Sequence, residues 1–284
     1  MNTASTEKDR YVVIGNPIAH SKSPLIHAAF AAQTGQQMDY QHLLAPLDGF
    51  AASVNAFRAQ GGLGANVTVP FKLEACALAT RLTPRAAAAG AVNTLQFSDT
   101  QILGDNTDGI GLVTDIVRNA GVTLHGKRIL LLGAGGAARG AVLPLLEQLP
   151  AELVIANRTV ARARELQQLA TARMPAVPVS AYGIEAVPGH FDVVINATSA
   201  SLQDAVPALP AGALDARTLA YDMMYGTQPT AFLRFAAQHG AQCRDGLGML
   251  VEQAAEAFAL WRGVRPDTAG VLQQLRAGLQ SAAG

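Results

Sequence analysis

Residues 129–140 read ILLLGAGGAARG, in which four large apolar residues run directly into a glycine-rich turn. A short apolar run of this kind predicts a strand buried on both faces, as in a parallel sheet. Gly133, Gly135 and Ala138 fit the pattern G-x-G-x-x-G/A, whose small residues allow a tight turn, close approach of a pyrophosphate and close packing of the next helix. The stretch therefore predicts a dinucleotide site at a helix N-terminus, with a glycine-rich turn of another α/β protein as the alternative.

The composition is that of an ordinary globular enzyme. The 284 residues suggest two domains, and 21 Lys plus Arg balance 21 Asp plus Glu, so overall charge favours neither nucleic acid nor an anionic membrane. Cys76 and Cys243 lie outside metal-ligand spacing, so no metal site is predicted. Residues 1–10 lack the apolar core of a signal peptide, and no run reaches the roughly 18 apolar residues of a membrane span. We expect a cytoplasmic protein without nucleic-acid or membrane partners.

Strand and helix patterns alternate on both sides of residues 129–140. Before them, strands are predicted at residues 11–14, 64–69 and 91–95; after them, at 152–156, 177–179, 191–195 and 219–222. This order predicts an α/β protein with two α/β domains, an N-terminal one with a mostly parallel sheet and a Rossmann-like doubly wound one, with a cleft between them.

The end of the second Rossmann-like strand indicates which dinucleotide binds. An NAD site places Asp or Glu there, whereas this chain has no carboxylate after the strand until Glu165. Arg158, Thr159 and Arg162 instead supply two cations and a hydroxyl around a helix N-terminus, which suits a ribose 2′-phosphate. The predicted cofactor is NADP, and two surface arginines on a solvated helix are the alternative.

Polar residues recur where the N-terminal strands end. Ser21 and Ser23 fit an anion pocket for a substrate carboxylate, although Ser23 also fits the N-cap of a helix that opens at Pro24. Asn66 and Thr68 share one face of a strand, and a polar face needs partners or a ligand.

Three further polar residues carry two interpretations each. Lys72 lies in a first helical turn, where its charge opposes the helix dipole. It is either a residue of a functional site or a lysine whose ammonium group extends into solvent. Asp108 precedes the apolar run 110–120 and is by default an N-cap, but a domain boundary there would place it at the mouth of a cleft. Gln253 lies on or beside the apolar stripe of the last long helix, and the same pattern places Glu252 on the face that points away from the core. The Gln253 amide needs hydrogen-bond partners, which either the protein core or a ligand can supply.

Several motifs in the same order resemble the shikimate dehydrogenase family from Tyr11 to about Val271. They are GNPIAHSKSP from Gly15, GANVTVPFK from Gly64, AGAVNTL from Ala89, GDNTDG from Gly104, GAGGAAR from Gly133, NRTVAR from Asn157, INATS from Ile195, YDMMY from Tyr221 and DGLGMLVEQA from Asp245. The resemblance implies the NADP-dependent interconversion of 3-dehydroshikimate and shikimate in aromatic amino acid biosynthesis. It also implies a substrate domain of residues 1–107 and 246–284 and an NADP domain of residues 108–245.

The resemblance implies a role for each residue that matches a motif. Lys72 and Asp108 would be the catalytic pair. The substrate would be bound by Ser21, Ser23, Asn66, Thr68, Lys72, Asn93, Asp108, Tyr225 and Gln253. NADP would be bound by Gly133, Ala134, Gly135, Gly136, Ala137, Asn157, Arg158, Thr159, Arg162, Met223 and Gly246. The chain departs from the family at Ala200-Ser201, where a glycine is frequent, and at Pro84, where some members carry an acidic residue near the cofactor.

The sequence leaves two alternative functions open. A quinate/shikimate dehydrogenase that prefers NAD would have an acid after the second strand, and Arg158 and Arg162 disfavour it. A non-catalytic metabolite-binding regulatory module has no need to keep Lys72 and Asp108 together. The expected partner is the small-molecule substrate, shikimate or 3-dehydroshikimate, and the chain is expected to be a monomer or a homodimer.

Overall fold

The computed structural model describes residues 8–198 and 206–281, which divide into two compact units. Within the described residues, the first unit runs to Thr107 and includes Ala254–Val271, and the second includes Asp108–Gln253 and the chain from Leu272 onward. The predicted domains differ from this division because they place all of residues 246–284 in the first domain. Their assignment to substrate and NADP stays a prediction.

The first unit is built on a mixed six-stranded sheet. Its strands are β1 (Asp9–Gly15), β2 (Met38–Leu44), β3 (Gly62–Val67), β4 (Arg81–Leu82), β5 (Thr94–Phe97) and β6 (Ile102–Asp105). They lie in the order β2-β1-β3-β5-β6-β4, and the pairs are parallel except β3–β5 and β5–β6. The helices that accompany them are α1 (Ser23–Thr34), α2 (Phe50–Ala59), α3 (Lys72–Leu78) and α4 (Pro84–Ala89). The predicted mostly parallel sheet is confirmed.

The core of the first unit joins strand residues to aromatic side chains. Val12 and Ile14 of β1 pack in one cluster with Phe50 and Phe71. Trp261 contacts the Tyr11 ring at 4.7 Å between centroids and donates its indole N–H to the Leu95 carbonyl at 3.0 Å. These contacts bury Tyr11, Val12 and Ile14 of β1 and Leu95 of β5.

The second unit is built on a six-stranded parallel sheet. Its strands are β7 (Arg128–Leu132), β8 (Glu152–Ala156), β9 (Val179–Tyr182), β10 (Val193–Asn196), β11 (Leu219–Asp222) and β12 (Gln242–Arg244). The order β12-β11-β10-β7-β8-β9 corresponds to 3-2-1-4-5-6 counted from β9 back through β7 and on to β12, which is the doubly wound Rossmann arrangement. The predicted fold class is therefore confirmed. The strand predicted at residues 177–179 is shifted, because β9 begins at Val179.

The remaining helices belong wholly or partly to the second unit. They are α5 (Asp108–Thr114), α6 (Gly136–Leu146), α7 (Val160–Arg173), α8 (Ala231–Gln238), α9 (Leu247–Arg262) and α10 (Ala269–Ser281). A π-helical turn, Asp115–Asn119, continues α5. Asp115 is fully buried and accepts hydrogen bonds from the Tyr221 hydroxyl at 2.8 Å and from Arg244 Nε at 2.8 Å. These bonds tie the π-helical turn to β11 and β12.

Two local predictions about helices are wrong. Ser23 is not the N-cap of α1, as the sequence suggested, but its first helical residue, and Lys22 occupies the N-cap position without a side-chain hydrogen bond. The Ser23 N–H is instead donated to Ser21 Oγ. Glu252 does not turn away from the protein but is buried, because it accepts a hydrogen bond from the Asn119 side chain at 3.1 Å.

Across residues 8–198 and 206–281, no helix has the length and apolar character that a membrane crossing requires. In the same ranges, no group of three or more His, Cys, Asp and Glu side chains has the arrangement of a metal site.

Thr230 caps α8 and ties it to β11. Its Oγ1 accepts the Leu233 N–H at 3.3 Å and its hydroxyl donates to Asp222 Oδ2 at 2.6 Å. We expect Thr230→Ala to lower the free energy of unfolding by about 1–2 kcal/mol, because it removes a cap and a hydrogen bond to a buried carboxylate. Urea denaturation measures the change. Thr230→Ser keeps the hydroxyl and should lose less than about 0.5 kcal/mol, so equal losses in the two variants would contradict the capping role.

Candidate functional site

Ser21 and Ser23 lie together at the start of α1. The Ser21 hydroxyl donates to Ser23 Oγ at 3.2 Å, and the Ser23 N–H donates to Ser21 Oγ at 3.3 Å. Ser23 is buried and Ser21 is partly exposed. The first N–H groups of an α-helix have no acceptor within the helix, so two hydroxyls beside them form a suitable site for an anion. The structure brings the two predicted serines together, and their role toward a carboxylate stays a prediction.

A buried chain of polar side chains, here called the polar chain, connects two of the predicted substrate residues. Its members are Tyr40, Asn66, Thr94, Asn93 and Thr107, and all five are buried. The Tyr40 hydroxyl donates to Asn66 Oδ1 at 2.7 Å, and Asn66 Nδ2 donates to Thr94 Oγ1 at 3.0 Å. The Thr94 hydroxyl donates to Asn93 Oδ1 at 2.9 Å, and Asn93 Nδ2 donates to Thr107 Oγ1 at 2.9 Å.

The polar chain includes residues that sequence reasoning missed. Asn66 and Asn93 were predicted, but Tyr40, Thr94 and Thr107 were not, because the hydrogen bonds that join them connect residues of different strands and turns. Asn66 and Thr94 are register partners in β3 and β5, and a β-strand pattern by itself does not say which strand lies beside it. The structure therefore joins three further residues to the two predicted ones by hydrogen bonds.

His27 was also missed, and its environment is unusual. It is fully buried, its ring stacks on Tyr40 at 4.2 Å between centroids, and neither ring nitrogen has a hydrogen-bond partner among the described residues. Burial lowers the pKa of His27 to about 3 against the opposing effect of Asn66, whose geometry falls short of a hydrogen bond. His27 is therefore neutral at pH 7. Its spacing of four residues from Ser23 was the available signal, since it places both on one face of α1.

The buried His27 should make the protein less stable in acid. Its pKa of about 3 in the folded protein is below the roughly 6.5 of an unfolded histidine, so the unfolded chain takes up the proton first. The stabilisation is complete above pH 6.5 and is lost as the pH falls toward 3; between pH 7 and pH 5 it should fall by about 2 kcal/mol. Urea unfolding at these two pH values measures it. His27→Phe keeps an aromatic ring there and should reduce the difference, whereas an unchanged difference would contradict this origin.

Thr68 and Lys72 follow β3 through a short turn. The Thr68 N–H donates to the Ile14 carbonyl at 2.9 Å, and its carbonyl accepts the Phe71 N–H at 3.0 Å. A Cβ added at Gly15 would lie 2.5 Å from Thr68 Cγ2, so glycine allows β1 to approach this turn. Helix α3 then begins at Lys72, which is partly buried, as predicted for the first helical turn.

The segment that precedes Asp108 is anchored in the first unit. Asp105 accepts two hydrogen bonds from Arg85, at 2.7 Å and 2.5 Å, and another from the Thr83 hydroxyl at 2.5 Å. Burial alone would raise the pKa of Asp105, but these partners outweigh it and hold the pKa below its ordinary value. Asp108 itself is the first residue of α5 and is buried.

Pro84, one of the departures from the family pattern, has a local structural explanation. It is the first residue of α4, where its fixed φ suits a helix and its missing N–H costs nothing. Thr83 supplies the cap by accepting the Ala86 N–H at 3.3 Å. The other departure, Ala200-Ser201, lies outside the described residues.

The glycine-rich turn of the second unit has the predicted strand–turn–helix form. Gly133 has a φ of 109°, a conformation that favours glycine, and an added Cβ would lie 3.1 Å from the Ala197 carbonyl oxygen. Gly135 and Gly136 are exposed, and a Cβ added to either would meet nothing within 4 Å. Ala134 and Ala137 complete this segment. Because α6 begins at Gly136 without a side-chain cap, its first N–H groups are available to a pyrophosphate.

The predicted ribose residues follow β8 at the start of α7. Arg158, Thr159 and Arg162 are exposed, and Thr159 occupies the N-cap position without a side-chain cap hydrogen bond. Asn157 Nδ2 donates to the Thr159 carbonyl at 2.9 Å and so shapes the turn. Among the described residues, neither guanidinium group has a hydrogen bond or ion pair, while Glu165 is already paired with Arg139 at 2.6 Å. Two uncompensated cations at a helix N-terminus fit a 2′-phosphate.

The other predicted residues of the second unit lie in two places. Met223 donates its N–H to the Asn196 carbonyl at 3.0 Å, and a Cβ added at Gly246 would lie 2.1 Å from the Met223 carbonyl oxygen. The structure thus brings Met223 and Gly246 together and requires glycine at 246. Tyr225 is partly buried. Burial raises its pKa, and the Asp245 charge raises it further by a smaller amount. Gln253 is buried and donates from Nε2 to the Leu250 carbonyl at 2.9 Å.

Comparison with known proteins gives concordant matches. Family models described as the shikimate dehydrogenase substrate binding domain, shikimate / quinate 5-dehydrogenase and the shikimate 5'-dehydrogenase C-terminal domain match residues 13–95, 115–205 and 246–276. A curated relative from Herminiimonas arsenicoxydans, named shikimate dehydrogenase (NADP(+)), is 65% identical over 97% of this chain and 100% of its own length. Among solved structures, an Ael1 enzyme from Pseudomonas putida has a TM-score of 0.89 and 52% identity, with 94% of this chain and 98% of that chain covered. A shikimate 5-dehydrogenase from Thermus thermophilus, in complex with NADP(H) and shikimate, has a TM-score of 0.83 and 32% identity, with 95% and 99% covered.

Proposed function

The chain belongs to the shikimate dehydrogenase family, and from this premise we propose how its residues perform the reaction. It is an oxidoreductase that interconverts 3-dehydroshikimate and shikimate in the shikimate pathway of aromatic amino acid biosynthesis, with NADP as its cofactor. Curated relatives at 58–65% identity bear this NADP-specific name, which favours neither the NAD-preferring nor the non-catalytic alternative.

Proton transfer is the step that needs protein side chains. When bound, NADPH supplies the hydride that adds to the ring ketone carbon, and the former ketone oxygen then needs one proton to become a hydroxyl. Lys72 gives that proton as general acid, and its cation stabilises the negative charge that develops on the oxygen. Asp108 is the second residue of the proposed catalytic pair. In the reverse direction Lys72 accepts the proton.

Substrate binding is divided between a carboxylate and several hydroxyls. Ser21 and Ser23 bind the carboxylate with their hydroxyls and with the N–H groups of the first turn of α1. The ring hydroxyls bind to polar side chains, which are Asn66, Thr68, Asn93, Tyr225 and Gln253. Burial of Asn66 and Asn93 among satisfied partners supports this role, because a buried polar group that is held in place recognises a hydroxyl with little loss of side-chain entropy.

Cofactor binding uses the second unit. The segment Gly133–Ala137 receives the pyrophosphate at the start of α6, and Asn157, Arg158, Thr159 and Arg162 receive the adenine-side ribose with its 2′-phosphate. Met223 and Gly246 contact the remaining part of NADP. The observation that carries this assignment is the pair of arginines, without ion pairs among the described residues, beside a capless helix start.

A spectrophotometric assay tests the function directly. Purified protein is mixed with shikimate or quinate and with NADP or NAD, and reduced cofactor is followed by its absorbance. We expect shikimate-dependent formation of NADPH with a much higher kcat/KM than for NAD. A clear preference for NAD would contradict the 2′-phosphate assignment. No activity with any combination of substrate and cofactor would contradict the proposed enzymatic function.

We further propose that the enzyme is cytoplasmic, acts as a monomer or homodimer, and has neither nucleic-acid nor membrane partners. Cys76 and Cys243 are both free thiols, which suits a reducing compartment. Sedimentation velocity over a range of concentrations distinguishes the two assembly states.

A further inference from the structure

We propose that Tyr40 is a positioning residue for the substrate: its hydroxyl turns the Asn66 side chain so that it offers an oxygen acceptor, and not an N–H donor, to a substrate hydroxyl. The inference rests on the proposed role of Asn66 in substrate binding. The substrate hydroxyl at this point then donates its hydrogen to Asn66 and does not accept one.

A backbone carbonyl identifies which end of the Asn66 amide is the nitrogen. Asn66 Nδ2 lies 3.3 Å from the Asn93 carbonyl oxygen, which can only accept, so the amide nitrogen faces that carbonyl. The second hydrogen on Nδ2 is donated to Thr94 Oγ1 at 3.0 Å. Both N–H donors of Asn66 are therefore used inside the protein.

The oxygen of the same amide faces Tyr40. The distance from the Tyr40 hydroxyl to Asn66 Oδ1 is 2.7 Å, and since Oδ1 can only accept, the tyrosine donates. An amide oxygen has two lone pairs, and Tyr40 uses one of them. Among the described residues, Tyr40 is the donor to Asn66 Oδ1, and neither ring nitrogen of His27 makes a hydrogen bond. The second lone pair of Oδ1 is therefore the polar group that Asn66 can offer to a ligand, and it binds a hydroxyl that donates.

The Tyr40 ring is held so that its hydroxyl stays in this position. The ring is buried, stacks on His27 with an angle of 9° between planes, and lies 6.2 Å from the Trp261 ring. Burial raises the pKa of Tyr40 well above its ordinary value, and the Ser23 side chain has a smaller, opposing effect. The phenol thus keeps its proton and donates it to Asn66 Oδ1.

A neighbouring tyrosine provides a matched control. Tyr11 in β1 is the register partner of Tyr40 in β2 and is also buried. Its hydroxyl lies 3.4 Å from Arg262 Nη1 and takes no part in the polar chain. Tyr11→Phe and Tyr40→Phe therefore remove the same atom from adjacent strands of one sheet, with only the second removing it from the polar chain.

Steady-state kinetics of these variants test the proposal. Tyr40→Phe should raise KM for shikimate about tenfold, because Asn66 loses the hydrogen bond that orients it, while kcat and KM for NADP stay within about twofold. Tyr11→Phe should match the wild-type protein in all three. Thr94→Val removes the next hydroxyl of the polar chain and should resemble Tyr40→Phe, whereas Thr94→Ser should restore the wild-type KM.

A double variant separates positioning from a general structural effect. If Tyr40 acts through Asn66, Tyr40→Phe combined with Asn66→Ala should have the same shikimate KM as Asn66→Ala alone. The positioning role would be overturned if the KM increase in the double variant equalled the product of the increases in the two single variants. It would also be overturned if both Tyr40→Phe and Thr94→Val had the wild-type KM, and in either case the proposed function of the enzyme would stand. A wild-type protein that does not oxidise shikimate would overturn the proposed function and the inference with it.

Substrate analogues test the acceptor character of Asn66. Each non-reacting ring hydroxyl of shikimate is replaced in turn by fluorine, which cannot donate a hydrogen bond. One analogue should bind the wild-type protein about tenfold more weakly than shikimate and should lose this disadvantage in Asn66→Ala. Equal binding of all analogues to the wild-type protein would overturn the acceptor assignment.

Discussion

Replacing Lys72 with alanine is expected to lower kcat for shikimate oxidation by about 10²–10⁴-fold, because a general acid and base in proton transfer contributes an effect of this size. Binding of shikimate should change by less than about tenfold, since most of the substrate contacts are assigned to other residues. Turnover is measured in both directions with NADP or NADPH. Binding is measured separately, through the fluorescence of Trp261, the one tryptophan of the chain.

Two controls separate the ammonium group of Lys72 from other effects. Lys72→Met keeps most of the side-chain volume and should be as inactive as Lys72→Ala, because the lost function is the proton and the charge. Lys127→Ala removes a lysine that forms an ion pair with Asp192 at 3.3 Å in the second unit, and it should leave kcat unchanged. Near-normal turnover in Lys72→Met would remove Lys72 from the proposed mechanism.

Replacing both Arg158 and Arg162 with glutamine is expected to raise KM for NADP about a hundredfold or more. Each guanidinium group has no partner among the described residues, so its charge is available to the 2′-phosphate. Two charge-assisted hydrogen bonds together contribute about 3 kcal/mol or more, which corresponds to this factor. The kcat/KM for NAD, which lacks the phosphate, should change by less than about fivefold.

A third arginine of α7 is the control for this experiment. Arg173 is exposed like the other two but lies in the last turn of the helix, away from its N-terminus. Arg173→Gln should leave the KM values for both dinucleotides unchanged. If kcat/KM falls to the same degree for NAD and for NADP in the double variant, the two arginines do not recognise the 2′-phosphate.

Elements whose pattern is local were predicted closely. The strands predicted at residues 152–156 and 219–222 are found as β8 and β11 with the same bounds. The turn after β7 was predicted because its requirement is local: Gly133 has a positive φ, and successive small residues leave its backbone open. Such features depend on neighbours in the chain, so the order of residues contains most of the information.

Features that depend on distant partners were missed or misjudged. The charged Glu252 was expected in solvent, yet Asn119 satisfies it inside the protein. Asp115 is fully buried because Tyr221 and Arg244, more than 100 residues later, donate to it. A carboxylate is buried only where such donors offset the cost of removing it from water, and periodicity along one helix does not report them.

The amino-acid sequence by itself determined the alternation of strands and helices, the dinucleotide turn, the absence of an acid where an NAD site needs one, and the family. Only the tertiary structure decided that Tyr40, Thr94 and Thr107 join Asn66 and Asn93 in one chain of hydrogen bonds, and which end of the Asn66 amide faces a ligand. The physical reason is that strand pairing places Asn66 beside Thr94 and leaves one carbonyl of Asn93 next to the amide nitrogen. The direction of a hydrogen bond depends on which groups become neighbours, and the fold sets that.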